Sequence, residues 1–267
     1  MRQKRIKEIE GFLMQNEFVA LDDLCDRFRV SKITIRRDVA QLVSLGIAKK
    51  VYGGVIASPK QENLVSFFAR SEFQTEEKRA IGRRAAAMVE EGDIIFVDAG
   101  STTAAMVAFL DPMRRITLIT HNLGVIHEVA SKKGVRLIVV GGEFLHETYS
   151  TVGIEAIEAI RKLNANKAFL GASGISLGKG ITNSSSIEAE IKRAIIQVAD
   201  RRILLADSHK FDRASLVTFC TFAEIDTLIT DRPPPEAYAP VLAALEVEVV
   251  VAAPPNGSAG IASNGDR

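Results

Sequence analysis

A short run of glycine and hydroxyl residues has the composition of an anion-binding turn. Its candidate contact residues are Asp98, Gly100, Ser101, Thr102 and Thr103. The run follows the apolar segment Ile94–Val97 and precedes a helical stretch that starts at Ala104. Glycine permits a tight turn, and the free N–H groups at a helix start, together with three hydroxyls, suit a phosphate group. An ordinary N-cap loop has the same composition, so the run alone leaves both explanations open.

A second acid and base follow another apolar segment. Asp207 and Lys210 come directly after the segment Ile203–Ala206. Lysine can reach a phosphate as a point charge, and the carboxylate can accept a hydrogen bond from a sugar hydroxyl. Ligands of open α/β sheets bind beyond the carboxyl ends of the strands. We therefore expect both turns to contribute to one effector pocket.

Three further residues have a weaker claim to the same pocket. Asn122 and Gly142 each follow a predicted strand, and each could either line the pocket or only meet the needs of a loop. Glu188 lies four residues before Lys192 in a helical stretch, where a surface ion pair explains the spacing as well as a ligand contact does. Thr182 and Asn183, just before that stretch, could cap the helix.

A different chemistry is indicated near the N-terminus, where basic and hydroxyl residues share one side of a predicted helix. Ser31 is a good N-cap, and the helix that follows buries Ile35, Val39 and Leu42. Arginine on such a helix can bridge guanine O6 and N7 in the major groove, and groups at its start can contact phosphate. The candidate DNA contacts are Ser31, Lys32, Thr34, Arg36, Arg37, Gln41, Lys49 and Lys50.

Helices and a hairpin must hold these DNA contacts in place. Apolar spacing predicts a helix from Gln3 to Asn16, a short one after Leu21, and a third that starts at Ser31 and ends at Gly46. Residues 48–51 and 55–57 form a two-stranded hairpin around a glycine-rich turn. We therefore predict a winged helix-turn-helix that binds duplex DNA in residues 1–57, followed by a polar linker over residues 58–74.

Strands alternate with helices in the rest of the chain. The strand candidates are Ile94–Val97, Ile116–Thr120, Arg136–Val140, Lys167–Leu170, Ile203–Ala206, Thr227–Thr230 and Val247–Val251. Several are continuous apolar runs, which are typical of parallel strands covered on both faces. The helix candidates are Ala104–Leu110, Val125–Lys132, Ile154–Lys162, Ile187–Val198 and Glu236–Leu245. We expect a larger α/β domain with a mostly parallel sheet over residues 75–252, and a disordered tail over residues 253–267.

The charge and the cysteines of the chain agree with this division. The net charge of +1 separates into +4 for residues 1–57, from 11 basic and 7 acidic residues, and −3 for the remainder. A basic N-terminal part joined to a mildly acidic remainder favours contact of the first with a polyanion. The two cysteines, Cys25 and Cys220, lie far apart, so we expect free thiols in a reducing cytoplasm. No apolar run is long enough to cross a membrane.

Three short motifs carry a family resemblance. They resemble the N-terminal signature of DeoR-type bacterial transcriptional regulators. The motifs are the run from Val30 to Asp38 (VSKITIRRD), the Leu-Gly pair that ends at Gly46, and the Tyr-Gly-Gly turn that starts at Tyr52. The resemblance extends over nearly the whole chain and implies that Ser31, Lys32, Thr34, Arg36 and Arg37 face operator DNA. Phosphate would repel a carboxylate, so we expect Asp38 to orient an arginine instead.

The resemblance also implies what the larger domain does. Sensor domains of DeoR-type regulators are similar in fold to ribose-5-phosphate isomerase, which implies a phosphorylated sugar or polyol as effector. They carry a similar Asp-x-x-Lys-Phe stretch, in which His209 here stands where serine is common. The resemblance favours a repressor of a sugar or polyol catabolic operon that the effector releases. One short recognition helix covers few base pairs, so we also expect a homo-oligomer, either a dimer or a tetramer.

An enzyme is the alternative to a regulator. The four histidines lack metal-ligand spacing and no nucleophile elbow occurs, so we expect no catalytic site, metal or cofactor. A general base is nevertheless available in Asp98, Glu188 or Asp207. The sequence therefore leaves open a sugar-phosphate isomerase or deaminase with a DNA-binding head.

Overall fold

The chain divides into two compact units, residues 1–70 and residues 71–267. The computed structural model describes residues 5–6, 8–9, 12–13, 16, 18–44, 48–57, 67 and 75–252. The predicted helix end at Gly46 and the predicted tail lie outside the described residues. So does most of the predicted linker, although Phe67 within it is helical and buried.

The N-terminal unit has the predicted winged helix-turn-helix elements. Its helices are α1 (Leu21–Phe28) and α2 (Lys32–Ser44), and its strands are β1 (Val19–Ala20), β2 (Ala48–Val51) and β3 (Gly54–Ala57). The described residues between 5 and 13 are helical as well. The sheet has three antiparallel strands in the order β1-β3-β2. The segment before α1, which the sequence indicates to be short and extended, is therefore a third strand of the wing sheet, and its pairing with β3 was not predicted.

A small apolar core fixes the orientation of α2. Ile35, Val39 and Leu42 are fully buried and pack with Leu24 of α1 and Val55 of β3. Because these three residues of α2 recur at helical spacing, the opposite side of the helix faces solvent. The helix α1 ends at Arg29, whose φ of 51° is the left-handed conformation that closes many helices.

The larger unit alternates strands and helices along the chain. Its strands are β4 (Ile94–Val97), β5 (Ile116–Thr120), β6 (Val135–Val139), β7 (Glu143–Leu145), β8 (Ser150–Val152), β9 (Ala165–Gly171), β10 (Gly174–Ser176), β11 (Gly180–Asn183), β12 (Ala199–Leu205), β13 (Val217–Cys220), β14 (Thr227–Thr230) and β15 (Glu248–Val251). Its helices are α3 (Thr75–Ala86), α4 (Ser101–Val107), α5 (Leu123–Val129), α6 (Ile154–Ile160), α7 (Ser186–Val198) and α8 (Ala239–Ala244).

Seven strands form a fully parallel sheet in the order β15-β14-β12-β9-β4-β5-β6. The chain first builds β4, β5 and β6 in one direction and then continues from β9 on the other side of β4. The order therefore reverses between β4 and β9, which is the place where sheets of this kind bind ligands. The predicted α/β class with a mostly parallel sheet is confirmed.

Helices cover both faces of this sheet. Along β4, Ile95 and Val97 pack with α3, α4 and α5, whereas Phe96 packs with the core that contains α6, α7 and α8. This alternation follows from the two-residue period of a strand and explains why several of the predicted strands are continuous apolar runs. Two short antiparallel sheets, β10-β11-β13 and β7-β8, lie outside the main sheet.

Some sequence-based boundaries need correction. The strands β9 and β12 begin at Ala165 and Ala199, earlier than predicted. The five strands of the two small sheets were not predicted at all. The predicted helix Glu236–Leu245 is a 3-10 turn (Glu236–Tyr238) followed by α8.

Candidate functional site

The candidate DNA face is the outer side of α2 together with the hairpin of β2 and β3. Ser31 caps α2, because its Oγ accepts from the Thr34 backbone N–H at 3.4 Å and lies 3.0 Å from the Thr34 hydroxyl oxygen. Of the eight predicted DNA contacts, Thr34 and Gln41 are half-buried. The other six are exposed: Ser31, Lys32, Arg36, Arg37, Lys49 and Lys50. The fold thus brings the basic residues of α2 to solvent as predicted.

Two ion pairs arrange charge around this helix. Arg5 Nε donates to Asp38 Oδ2 at 2.7 Å, and the Asp38 side chain is buried. The prediction that Asp38 orients an arginine is therefore confirmed. Lys32 Nζ lies 2.5 Å from Asp22 Oδ1 of α1, so a phosphate that engages Lys32 must compete with that carboxylate.

Exposed apolar residues also lie among the basic ones, and no role for them was predicted from the sequence; one of them, Val51 of β2, is 37% exposed. Ile33 in the first turn of α2 is 74% exposed, and Tyr52 at the tip of the hairpin is fully exposed. The signal for Ile33 was present in the sequence, because the residue falls opposite the buried positions of its helix.

The candidate effector site lies at the carboxyl edge of the parallel sheet, where the strand order reverses. The turn after β4 leads into α4, and Thr103 organises it from within. The Thr103 hydroxyl accepts from the Gly100 N–H at 2.9 Å and lies 2.7 Å and 2.8 Å from the carbonyl oxygens of Asp98 and Gly100. The hydroxyls of Ser101 and Thr102 make no hydrogen bond to the described part of the chain.

A buried ion pair joins the two strands that flank this reversal. Lys192 Nζ of α7 donates to Asp98 Oδ2 after β4 and to the Gly171 carbonyl oxygen at 3.1 Å. The same carboxylate oxygen accepts from the Gly171 N–H at 2.9 Å. Both charged side chains are almost fully buried. The pair therefore fixes the distance between the ends of β4 and β9.

His121 completes this cluster from the end of β5. Its Nε2 lies 3.8 Å from Asp98 Oδ1, and its Nδ1 is buried without a hydrogen-bond partner among the described residues. Burial lowers the pKa of His121 to about 4, so the ring is neutral at physiological pH. Burial raises the pKa of Asp98, but the nearby Lys192 ammonium outweighs this effect and leaves that pKa below its usual value.

Several predicted effector contacts make hydrogen bonds within the protein that stabilise its turns and helices. Thr103 is fully buried and its hydroxyl serves the turn. Asn122 caps α5 by accepting from the Val125 N–H at 3.0 Å, while its amide donates to the carbonyl oxygens of Thr148 and Tyr149. Their side chains are fully used within the fold, so we leave Thr103 and Asn122 out of the proposed site.

Gly142 also meets a need of the backbone. Its φ is +145°, and a Cβ there would lie 2.4 Å from the Val152 carbonyl oxygen. Only glycine can let β8 approach the end of β6 in this way. This requirement accounts for Gly142 without a ligand.

Glu188 and Lys192 do not form the surface ion pair that their spacing allowed. Both are buried, and Lys192 pairs with Asp98, whereas Glu188 Oε2 accepts from Asn183 Nδ2 at 3.1 Å. The N-cap of α7 is Ser185, whose Oγ accepts from the Glu188 N–H, so Asn183 is not the cap. The two charged residues do share one side of α7, but that side faces the core.

Asp207 and Lys210 lie at the end of β12, on the same edge as the turn after β4. Asp207 is buried and accepts from the His209 N–H at 3.2 Å, and so begins a 3-10 turn that contains Lys210. Lys210 is partly exposed. One strand, β9, separates β4 from β12, so the two turns lie about 10 Å apart.

The described residues give little support to other classes of site. No cluster of histidine, cysteine or acidic side chains there could hold a metal ion. No helix in the described ranges is long and apolar enough to span a membrane. Cys25 and Cys220 are free thiols, and burial raises the pKa of Cys220 to about 12.

Comparison with known proteins covers both units. Residues 5–61 match the DeoR-like helix-turn-helix domain, and residues 73–232 match the DeoR C-terminal sensor domain. Among solved structures, one titled as a probable sor operon regulator from Shigella flexneri is 14% identical, with 60% of this chain and 86% of that chain covered and a TM-score of 0.40. A D-ribose-5-phosphate isomerase in complex with phospho-erythronic acid is 15% identical over 51% of this chain and 54% of that chain, with a TM-score of 0.37. Both likenesses are too distant to carry an argument.

Curated relatives are closer and extend over nearly the full length of both partners. The HTH-type transcriptional regulator IolR of Bacillus subtilis is 37% identical over 89% of this chain and 94% of the relative. The repressor GlcR of the same organism is 31% identical over 94% and 96%. The glycerol-3-phosphate regulon repressor of Escherichia coli is 30% identical over 90% and 94%. The chain belongs to the DeoR family of helix-turn-helix transcriptional regulators.

Proposed function

We propose that this protein represses a sugar or polyol catabolic operon and that a phosphorylated sugar or polyol releases it from operator DNA. The observation that carries the sensing part is that residues 100–102 and Lys210 lie on one sheet edge beside the reversal of strand order. Relatives that match nearly the whole chain are named as repressors, one of them of a glycerol-3-phosphate regulon.

The proposed effector contacts lie at the ends of β4 and β12 and are Gly100, Ser101, Thr102, Asp207 and Lys210. Gly100, Ser101 and Thr102 would receive the phosphate through backbone N–H groups and hydroxyls at the start of α4. Lys210 would supply the positive charge, and Asp207 beside it would accept from a hydroxyl of the carbon chain. The separation of about 10 Å between the two turns suits a ligand of a few carbons with a phosphate at one end.

We propose a sensor without turnover rather than an enzyme. A general base must reach a substrate proton through a hydrogen bond. Asp98 and Glu188, two of the three candidates for that role, are buried and bonded to Lys192 and Asn183. We assign the third candidate, Asp207, to binding a hydroxyl of the effector. Incubating the protein with a panel of sugar phosphates tests this, because formation of an isomer or release of ammonia would establish the enzymatic alternative.

A band-shift experiment tests the switch. The full chain is bound to DNA from upstream of its own gene, and half-maximal release is measured for a panel of phosphorylated sugars and polyols. Lys210→Ala should keep the same DNA affinity but need about tenfold more effector, because it removes a charge-assisted hydrogen bond. Lys162→Ala is the matched control, since Lys162 is exposed and precedes β9 at the opposite, amino edge of the sheet. An unchanged dose response in Lys210→Ala would contradict the assigned role.

The DNA contacts and the oligomer are tested on the same DNA. Arg37→Ala should weaken operator binding by about 1–3 kcal/mol if the guanidinium reads a guanine. We also propose a homo-oligomer, a dimer or a tetramer, whose paired DNA-binding domains bind repeated half-sites. Native mass measurement of the complex would contradict this if it showed a monomer on the operator.

A further inference from the structure

The exposed side of α2 has an apolar centre. Ile33, Arg37 and Ala40 are spaced i, i+4 and i+7, so they lie above one another on one face of the helix. All three are exposed, and Ile33 is 74% exposed. They lie opposite Ile35, the first buried residue of the helix core. Ile33 therefore stands at the centre of the exposed face, in its first turn.

Positive charge surrounds this centre. The charged side chains that α2 exposes are Lys32, Arg36 and Arg37, all of them cationic. The single acid of the helix, Asp38, is buried and paired with Arg5. The face thus holds one large apolar side chain, Ile33, beside three cations, of which Lys32 also pairs with Asp22 of α1. A protein interface would instead need a contiguous apolar area.

The DNA major groove offers the complementary surface. Phosphates line its edges, and the 5-methyl group of thymine is the apolar group on its floor. We propose that Ile33 contacts the 5-methyl group of a thymine in each operator half-site, next to the base read by Arg37. This inference rests on the proposed operator binding, and it names one group of the operator, a thymine 5-methyl group, that Ile33 contacts. Ala40, at the same face, is small enough to let the helix approach the groove closely.

Removing single methyl groups from the DNA tests the contact. Binding sites are first selected from a random duplex pool with the full-length protein. Each thymine of the selected site is then replaced by uracil, which lacks only the 5-methyl group. The native protein should lose about fourfold in affinity at one thymine of each half-site, the factor that corresponds to roughly 0.8 kcal/mol for one buried methyl group. Ile33→Ala should bind the thymine site more weakly and show no further loss with uracil.

Met113→Ala is the matched control, because Met113 is 75% exposed and lies in the sensor unit. It should keep the native affinity and the native sensitivity to uracil. The inference is overturned if no thymine-to-uracil change weakens native binding, or if Ile33→Ala is as sensitive to uracil as the native protein. Failure to select any sequence from the pool would instead overturn operator binding itself, and the inference with it.

Discussion

Folding buries His121 in its neutral form, and we expect stability to fall in acid for that reason. Burial lowers the pKa of His121 from 6.5 to about 4, and its side chain is 1% exposed. In the unfolded chain the ring binds a proton below about pH 6.5, whereas in the folded protein it does so only below about pH 4. Between these values the unfolded state holds more protons, so the free energy of unfolding rises with pH.

The size of the effect follows from the width of that window. A pKa difference of about 2.5 units corresponds to roughly 3 kcal/mol, present in full above about pH 6.5 and lost as the pH falls to about 4. Between about pH 7.5 and pH 5 the loss amounts to about 2 kcal/mol. The lowered pKa of Asp98 acts in the same direction but only below its ordinary value of 3.8, outside this range.

Urea unfolding at these two pH values measures the effect. The near-ultraviolet signal of Tyr238 reports the sensor unit, because this tyrosine is fully buried there. His121→Phe keeps an aromatic ring beside Phe96 and should lose the difference between the two pH values. His127→Phe, at an exposed histidine, should keep it. If His121→Phe showed the same acid sensitivity as the native protein, the buried neutral imidazole would not be its source.

Three further outcomes follow from the packing of the sensor unit. Lys192→Met should lower the free energy of unfolding by about 3–5 kcal/mol in urea, because it leaves the Asp98 carboxylate buried without its cation. Cys220, whose pKa burial raises to about 12, should react with iodoacetamide only as fast as the protein unfolds, as mass spectrometry of the labelled chain would show. Gly82→Ala should cost about 1–3 kcal/mol, since a Cβ there would lie 2.8 Å from backbone atoms of α4, whereas Gly178→Ala, with open space around it, should cost little.

The parallel sheet could be predicted because each of its strands has a local signal. A strand that is covered on both faces is mostly apolar, and several strands of the main sheet contain a continuous apolar run. The small sheets gave no such signal. The strands β7 and β8 are three residues each, and the chain beside them depends on distant partners such as the amide of Asn122. Contacts between residues far apart in the sequence decide those strands, and periodicity does not report them.

In the candidate site, too, local features could be predicted from the sequence and contacts between distant residues could not. The turn after β4 was predicted because its composition is local, whereas the partner of Asp98 lies 94 residues away on α7. The sequence of that helix nevertheless contains a usable signal. Glu188, Ile191, Lys192 and Ile195 recur at i, i+3, i+4 and i+7, so the two charged residues share the apolar face and are buried. That period alone argues against a surface ion pair.

The buried cluster also bears on how an effector could act. A buried ion pair adds little net stability, because the cost of desolvating two charges offsets their attraction. What Asp98 and Lys192 do achieve is to hold both backbone groups of Gly171 against the turn after β4. The ends of β4 and β9 are therefore fixed before a ligand arrives, so the protein loses little conformational entropy when a ligand binds there.

An effector shifts an equilibrium only through a difference in affinity between two states. A rigid edge between β4 and β9 offers little such difference, so we expect the response to depend on the other proposed contact, Lys210 in the turn after β12. Asp98→Asn and Lys210→Ala separate these roles. The first should weaken effector binding without changing the maximal release of DNA, because it alters a positioning residue. The second should also reduce the maximal release of DNA, in addition to its need for more effector, and an unchanged maximal release in Lys210→Ala would contradict this division.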